Sequence, residues 1–225
     1  MLKKLLFDVN LFGMNIVLII PNNLINLIEV NMSEIIPRWE WRTFNNNLGT
    51  AEVNIKKHPE GKTRQSDEVY ILSEVSMDNT KIRDGLMDIK TLQQVNEDRL
   101  EQWLPIMKGQ FPLPVSEIEK VFKCFKVAVP KFEREEYTYE QYLSELIGGS
   151  KLLKGVNVHK QRTGYTINNC IVEIAEVTVD GKTIKTAAVE AEDPIAVINT
   201  VKELELDQFE NINYIRGLKN LVGMK

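Results

Sequence analysis

The sequence contains little cysteine and little histidine. Its two cysteines, Cys124 and Cys170, are too few for a disulfide framework, and both lie in apolar segments. We therefore predict two free, buried thiols in a reducing compartment, which favours a cytoplasmic protein. The two histidines, His58 and His159, have no second histidine or cysteine at ligand spacing, so we do not expect a zinc site.

The chain also lacks the features of a nucleic-acid-binding protein and of a membrane-spanning helix. Its net charge is −4, whereas nucleic-acid binders normally show a basic footprint. Its apolar N-terminal segment is continuous only from Ile16 to Ile20, far short of the roughly 20 apolar residues that a spanning helix needs. We therefore expect neither nucleic-acid binding nor stable membrane insertion. There is also no P-loop glycine pattern and no Ser-His-Asp set.

The first thirty residues differ in character from the rest of the chain. They are apolar and rich in Asn and Ile, and Pro21-Asn22-Asn23 interrupts them, whereas MSEIIPRWEWRTF from Met32 resembles a natural start. No small-x-small cleavage pattern follows Lys3 and Lys4. We predict that residues 1–31 are an extension outside the functional domain and that residues 32–225 form that domain. Membrane attachment through the extension is the alternative.

Period-two alternation predicts a chain rich in β-strands. The predicted strands are 37–44, 69–72, 80–84, 86–92, 100–107, 157–161, 165–179 and 183–192. Asp84-Gly85, Thr163-Gly164 and Asp180-Gly181 are predicted turns, the first and last being strong hairpin signals. Predicted helices cover 115–125, 138–147 with a capping box, and 194–204 from a proline start. The predicted fold is α+β, a mostly antiparallel β-barrel with helices packed outside.

Charged residues alternate with apolar ones in five of these strands. Side chains two residues apart share a face of a strand. The shared-face sets are Arg38, Glu40 and Arg42; Lys81 and Arg83; Asp88 and Lys90; Lys160 and Arg162; Glu190 and Glu192. A solvated outer face would explain any single set. The repetition, and the excess of cations in an acidic chain, favour a barrel whose charged faces point inward. Such a lumen would bind an extended phosphate chain, with carboxylates available for Mg²⁺.

In this order, the motifs resemble those of the CYTH family. This family comprises the triphosphate tunnel enzymes, among them class IV adenylyl cyclases, thiamine triphosphatases and inorganic triphosphatases. The resemblance covers residues 37–221. The family's opening E-x-E-x-K strand is similar to Arg38-Trp39-Glu40-Trp41-Arg42, and its strand with an Asp before an aromatic is similar to Ser66-Asp67-Glu68-Val69-Tyr70. Its basic strands resemble Lys81-Ile82-Arg83, Asp88-Ile89-Lys90 and Lys160-Gln161-Arg162. Its acidic closing strands resemble Glu173 or Glu176 and then Glu190-Ala191-Glu192, followed by Asn213-Tyr214 before an apolar helix.

The opening motif departs from the family pattern at two positions. Arg38 replaces the first Glu, where a cation would repel a metal ion, and Arg42 replaces the final Lys, where a guanidinium can still bind phosphate. The segment 96–114 also lacks the family's usual alternation of basic and acidic residues, and Arg99 and Glu101 are its only echo. Metal-dependent hydrolysis is therefore a weaker expectation than polyphosphate binding.

The resemblance implies a set of roles for the charged residues. Catalytic roles fall to Glu40, Lys81 and Arg83. Phosphate binding falls to Arg42, Lys81, Arg83, Lys90, Lys160 and Arg162. One or two Mg²⁺ or Mn²⁺ ions would be held by Glu40, Glu173 or Glu176, Glu190 and Glu192. The implied activity is metal-dependent hydrolysis of a triphosphate.

A plain structural module remains open if the paired charges face bulk water, and two alternatives remain open for a function in the lumen. One is a class IV-type adenylyl cyclase on the same fold, which would need a purine pocket that the sequence does not identify. The other is a non-catalytic module that binds polyphosphate or nucleotide, which Arg38 favours. The sequence does not distinguish inorganic triphosphate from nucleoside triphosphates or a thiamine ester, and it leaves the oligomeric state open, a homodimer included.

Overall fold

The computed structural model describes residues 5–11, 14–20 and 36–224. Contacts divide the chain into two units, Met1–Ile35 and Ile36–Lys225. The first contains an antiparallel hairpin of β1 (Leu5–Leu11) and β2 (Met14–Ile20). The predicted break at residues 21–23 and the predicted start at Met32 lie outside the described residues. That residues 1–31 stand apart from the functional domain remains a prediction.

The second unit is built on a closed, eight-stranded antiparallel barrel, which confirms the predicted fold class. Its strands are β3 Arg38–Asn45, β4 Thr63–Ser73, β5 Asn79–Arg83, β6 Leu86–Val95, β7 Glu101–Gln110, β10 Leu153–Ile167, β11 Cys170–Val179 and β12 Lys182–Ala191. Around the barrel they follow the order β10, β11, β12, β3, β7, β6, β5, β4, and β4 pairs with β10 to close it. A short two-stranded ladder, β8 (Leu113–Pro114) with β9 (Glu136–Tyr137), lies apart from the barrel sheet.

Two-residue turns with positive φ angles connect three of the hairpins. Asp84-Gly85 and Asp180-Gly181 adopt this conformation, as predicted, because a type I′ turn needs φ above zero at both central residues. The third turn is Asn168-Asn169 between β10 and β11. The sequence prediction was wrong here, because it continued one strand through these asparagines and placed a turn at Thr163-Gly164, which lies inside β10. Asparagine tolerates the left-handed region, so the turn needs no glycine.

Five helical segments pack on the barrel or at one of its ends. Their bounds are α1 Gly49–Lys56, α2 Val115–Phe125, α3 Tyr139–Gln141 continuing as a π-helix over Tyr142–Ile147, α4 Pro194–Glu203 and α5 Tyr214–Val222. The capping box at Thr138 and the proline start of α4 are confirmed. Helix α1 was not predicted from the sequence. No helix of the described residues is long and apolar enough to cross a membrane.

Three apolar clusters hold these layers together. One packs Trp39 and Trp41 of β3 with α1 and α4 on the outer face of the barrel. A second joins the outer face of β4, β5 and β6 to α2 and the π-helical segment. The third lies inside the barrel, where lumen-facing residues such as Val158 and Val177 pack against Tyr214 and Leu218 of α5. This third cluster, which we call the apolar plug, therefore fills one end of the lumen. The polar part of the lumen begins beside it.

Both cysteines are free and buried, as predicted.

Candidate functional site

Strand β3 shows how simple alternation builds the site. Glu40 and Arg42 line the lumen, while Trp39 and Trp41 point the opposite way into the outer apolar cluster. Burial of the two indoles fixes the register, because a shift of one residue would exchange the two faces. The apolar half of the pattern therefore places the charged half inside the barrel.

The lumen contains a cavity of about 340 Å³. Nine of the eleven predicted site residues line it: Glu40, Arg42, Lys81, Arg83, Lys90, Lys160, Arg162, Glu173 and Glu190. Asp88 and Lys108 line it as well, so that seven cationic side chains face four carboxylates. The cavity is thus locally basic within an acidic chain. We expect it to attract anions strongly, because low-dielectric walls focus the field of the charges in a cleft.

Arg42 lies among three carboxylates of the lumen. Its Nε donates to Oε1 of Glu40 at 2.7 Å and its Nη1 donates to Oε1 of Glu173 at 3.4 Å. Its Nη2 is 4.0 Å from Oε1 of Glu190. Burial disfavours both charges, but the attraction between them is stronger, so the pKa of Glu40 is lowered and the pKa of Arg42 is raised. The single guanidinium of Arg42 therefore offsets part of the negative charge of these three carboxylates.

Glu173 has two further cationic partners. Lys160 Nζ donates to its Oε1 at 2.7 Å and Arg162 Nη1 donates to its Oε2 at 3.0 Å. Burial would raise the pKa of Glu173, but Lys160 and Arg42 outweigh it and hold that pKa well below its ordinary value. Burial lowers the pKa of Lys160, and Glu173 only partly offsets this. Glu173 thus acts as an internal counter-ion for the cations of β10.

Glu68 of β4, which was not among the predicted site residues, is buried beside two cations of the lumen. Its Oε1 accepts from Arg83 Nη1 at 3.1 Å, and its Oε2 accepts from the Tyr70 hydroxyl at 2.8 Å and lies 3.7 Å from Lys81 Nζ. Burial raises the pKa of Glu68, but Lys81 and the Tyr70 hydrogen bond outweigh it, so that pKa is lowered. Glu68 is thus an internal counter-ion for the cations of β5, as Glu173 is for the cations of β10.

The spacing from Glu68 to Tyr70 was the sequence signal for this carboxylate. Tyr70 packs in the lumen cluster, so Glu68, two residues before it, shares its face. Asp67, the residue that the family motif indicates, points outward, where His159 Nδ1 lies 2.8 Å from its Oδ1. Of the two acids Asp67 and Glu68, alternation therefore selects the glutamate as the inward-facing one.

Glu40 and Glu190 face each other directly across β3 and β12. Burial and the neighbouring charge of Glu40 raise the pKa of Glu190. Within residues 36–224, no group of three His, Cys, Asp or Glu side chains is placed to hold a metal ion. The facing pair fits a divalent cation that takes its other ligands from elsewhere, and the larger predicted set remains a prediction. Magnesium is often bound in this way, with substrate phosphates completing its shell.

Three charged residues predicted from the motifs do not join the cavity. Glu176 is exposed, because it lies at an odd spacing from Glu173 and therefore on the outer face of β11. Glu192 is exposed just beyond the last residue of β12. It lines a separate recess with Arg38 and Glu190. Arg38, which replaces the family's first Glu, is thus exposed in a recess that shares Glu190 with the lumen.

Helix α5 brings Tyr214 into the site. The side chain of Asn213 caps the helix by accepting from Arg216 N at 2.8 Å and donates to Glu101 Oε1 at 3.0 Å. The ring of Tyr214 lies with its centroid 5.1 Å from Arg42 Cζ and 5.0 Å from Lys160 Nζ. These contacts fix the aromatic ring at the boundary between the apolar plug and the charged cavity.

A closed antiparallel barrel with a buried, cation-rich lumen is the class of protein that these observations define. The chain has structural matches to CYTH-like proteins, the family that its sequence motifs resemble. One is an adenylyl cyclase candidate from Hippeastrum that is described as having a dominant triphosphatase activity, with 11% identity, a TM-score of 0.49 and coverage of 84% of this chain and 97% of that chain. A second is a conserved protein of unassigned function from Pyrococcus furiosus, with 16% identity, a TM-score of 0.45 and coverage of 79% and 98%.

A third match is an adenylate cyclase candidate from Bacillus halodurans, with 14% identity, a TM-score of 0.46 and coverage of 79% and 95%. No protein-family model and no curated protein matches the chain. Substrate and chemistry therefore rest on the residues of this chain itself.

Proposed function

We propose that the protein binds a triphosphate-bearing anion in the barrel lumen and hydrolyses its terminal phosphoryl group. The observation that carries this proposal is the concentration of seven Lys and Arg side chains around one cavity of the barrel lumen. Several cations around one cavity suit an extended chain of negative charges better than a single carboxylate or phosphate. Phosphoryl transfer depends mainly on positioning and charge stabilisation, which this arrangement can supply without a covalent nucleophile.

The cations of the lumen differ in whether an internal carboxylate already pairs with them. Lys81 and Arg83 are held by Glu68, and Lys160 is held by Glu173. Lys90 lines the same cavity, and no carboxylate of the described residues lies within 4.0 Å of it. A polyphosphate could therefore contact Lys90 at once, and its oxygens could then replace the internal carboxylates at the other cations.

Glu40 and Glu190 are the residues that we expect to hold a divalent cation. They face each other across two strands. Burial and then the charge of Glu40 raise the pKa of Glu190, and a divalent cation between the two carboxylates would offset both effects. When bound there, Mg²⁺ or Mn²⁺ would supply Lewis-acid polarisation of the terminal phosphoryl group. Lys81 and Arg83, with Glu40, remain the residues to which we assign catalytic roles.

One observation favours a second candidate, a non-catalytic polyphosphate-binding module. Arg42 already contacts Glu40, Glu173 and Glu190, so the carboxylates that would hold a metal have an internal cation instead. Arg38 adds positive charge to the recess that shares Glu190. In this alternative the anion binds without a metal and is not cleaved.

The test is incubation with inorganic triphosphate, with and without Mg²⁺ or Mn²⁺, measuring phosphate release together with calorimetric binding. Binding plus metal-dependent release supports the triphosphatase, whereas binding without release under either condition supports the binding module. Lys81→Ala should weaken binding by roughly tenfold, since it removes one charge-assisted contact. Lys120→Ala is the control, because Lys120 is exposed on α2 and, among the described residues, its ion-pair partner is Glu117. Failure of the unmodified protein to bind would exclude both candidates.

We place this activity in the cytoplasm. The two free, buried thiols support a reducing compartment. The expected partner is a small triphosphate or polyphosphate, and the acidic chain gives no basis for a nucleic-acid partner.

A further inference from the structure

Two buried hydrogen-bond donors beside the lumen make no hydrogen bond of good geometry among the described residues. They are the hydroxyl of Tyr214, which lies near the Tyr70 hydroxyl, and the indole Nε1 of Trp103, which lies near Glu101. Both residues line the charged cavity. An indole N–H can only donate, and a tyrosine hydroxyl can donate as well, so a ligand that satisfies both must be rich in acceptors. Because unpaired buried polar groups cost free energy, such groups beside a cavity are candidates for contact with a ligand.

Tyr214 is held rigidly, so its hydroxyl has a defined position. Its ring stacks on Tyr70 at a centroid distance of 5.1 Å and meets Phe44 edge-on at 5.5 Å. The Tyr70 hydroxyl donates to Glu68. Arg42 and Lys160 lie over the ring of Tyr214, which concentrates positive charge next to its hydroxyl. An anion that contacts both cations would therefore lie next to this buried hydroxyl, and a small shift of the anion or the ring would bring the two into contact.

Tyr214 also marks the closed end of the lumen. Beyond it, Ile215 and Leu218 of α5 pack with Leu72, Val156 and Val179 in the apolar plug. A phosphate chain cannot continue into that cluster, because burying a charged group among apolar side chains without partners is very costly. A chain that enters the lumen must therefore end at Tyr214.

We propose that the Tyr214 hydroxyl donates a hydrogen bond to the terminal phosphoryl group of the bound chain, which restricts ligands to chains with at least one free terminal phosphate. This inference rests on the proposed function and deepens it. Inorganic triphosphate and nucleoside triphosphates have such an end, whereas a dinucleoside triphosphate has both ends esterified. The site then selects ligands by whether their phosphate chain has a free end, and not only by their charge.

The first test compares the unmodified protein with Tyr214→Phe in calorimetric titrations with inorganic triphosphate. The variant should bind about tenfold or more weakly, the loss typical of a hydrogen bond to a charged group. The thermal midpoint of the free variant should be unchanged or higher, because the substitution removes a buried hydroxyl that makes no hydrogen bond of good geometry. A purely structural role would instead lower the midpoint and leave the affinity unchanged, and that result would overturn the inference.

Tyr142→Phe is the matched control. The Tyr142 hydroxyl is also buried without a partner among the described residues, but it lies in the outer cluster beneath α2, away from the cavity. Its removal should leave triphosphate affinity unchanged. If both variants bind like the unmodified protein, the role of Tyr214 is refuted while the proposed function stands. If the unmodified protein does not bind triphosphate at all, the proposed function itself fails.

The second test is competition by a dinucleoside triphosphate. We expect it to bind at least about tenfold more weakly than inorganic triphosphate, because it presents no terminal phosphate to Tyr214. Equal affinity of the two ligands would overturn the proposal that the closed end selects a free phosphoryl group.

Discussion

Lys160 Nζ and Glu173 Oε1 lie 2.7 Å apart inside the barrel, on neighbouring strands. Glu173 also contacts Arg42 and Arg162, so one carboxylate is the counter-ion of three cations. The free site is thus self-neutralised in part, and any phosphate ligand must compete with this carboxylate. This competition links the stability of the barrel to its affinity for anions.

Glu173→Gln should destabilise the free protein by about 3 kcal/mol at pH 7, because it leaves buried cations without their partner. The folded-state pKa of Glu173 lies below its ordinary value of 4.5. The contribution of ionised Glu173 to the free energy of unfolding is therefore fully present above its ordinary pKa. It is lost as the pH falls through the folded-state pKa. The difference in thermal midpoint between the two proteins should be larger at pH 7 than at about pH 3. A difference that does not change with pH would contradict this account.

Added triphosphate should stabilise Glu173→Gln against thermal unfolding more than it stabilises the unmodified protein. Its unpaired cations need an anion, so triphosphate should raise the thermal midpoint of Glu173→Gln by the larger amount. Glu176→Gln is the control, since Glu176 is exposed on the outer face of the same strand. It should behave like the unmodified protein in both measurements.

Triphosphate binding should take up protons in alkaline solution. Burial lowers the pKa of Lys81 and of Lys160 from their ordinary value of 10.5. A bound phosphate favours the charged ammonium and raises these pKa values, so protons are taken up between the free and the bound pKa. Calorimetry at about pH 9.5 in two buffers of different ionisation enthalpy measures this uptake. Lys81→Arg should reduce it, because a guanidinium does not titrate there; identical apparent enthalpies in both buffers would rule the mechanism out.

Arg38→Glu should increase the affinity of the free protein for Mn²⁺. The substitution removes a positive charge from the recess that includes Glu190 and Glu192 and adds a carboxylate there. Direct titration with Mn²⁺ measures the effect without requiring turnover. Lys151→Glu, an equal charge change at an exposed loop position, is the control. Equal Mn²⁺ affinity of the Arg38 and Lys151 variants would show that Arg38 does not limit metal binding.

Gly217→Ala should destabilise the protein by about 1 to 3 kcal/mol, because the added methyl group would overlap the ring of Phe44 where α5 closes the barrel. Chemical denaturation measures the loss, and triphosphate affinity should fall with it as Tyr214 shifts. Gly223→Ala is a useful comparison, since a Cβ there meets open space and only its positive φ is unfavourable. If Gly217→Ala is no less stable than Gly223→Ala, α5 does not pack in the lumen as described.

Much of the barrel could be predicted from local sequence. Asp84-Gly85 and Asp180-Gly181 identify their hairpins because few other residue pairs adopt two positive φ angles. Alternation of Trp39 and Trp41 with Glu40 and Arg42 identified a charged and an apolar face. The error at Asn168-Asn169 arose because asparagine is a weaker turn signal than glycine, and the flanking residues are equally apolar.

What the sequence by itself determined was which charged residues share a face, since that depends only on the two-residue period of a strand. It could not determine whether the face points to solvent or to a lumen, because closure depends on pairing β4 with β10 and β3 with β7 and β12, which lie far apart in the chain. Only the tertiary structure left Glu192 outside the cavity and placed Tyr214 against Arg42 and Lys160. These two outcomes follow from where β12 ends and where α5 packs, and long-range burial of apolar surface decides both.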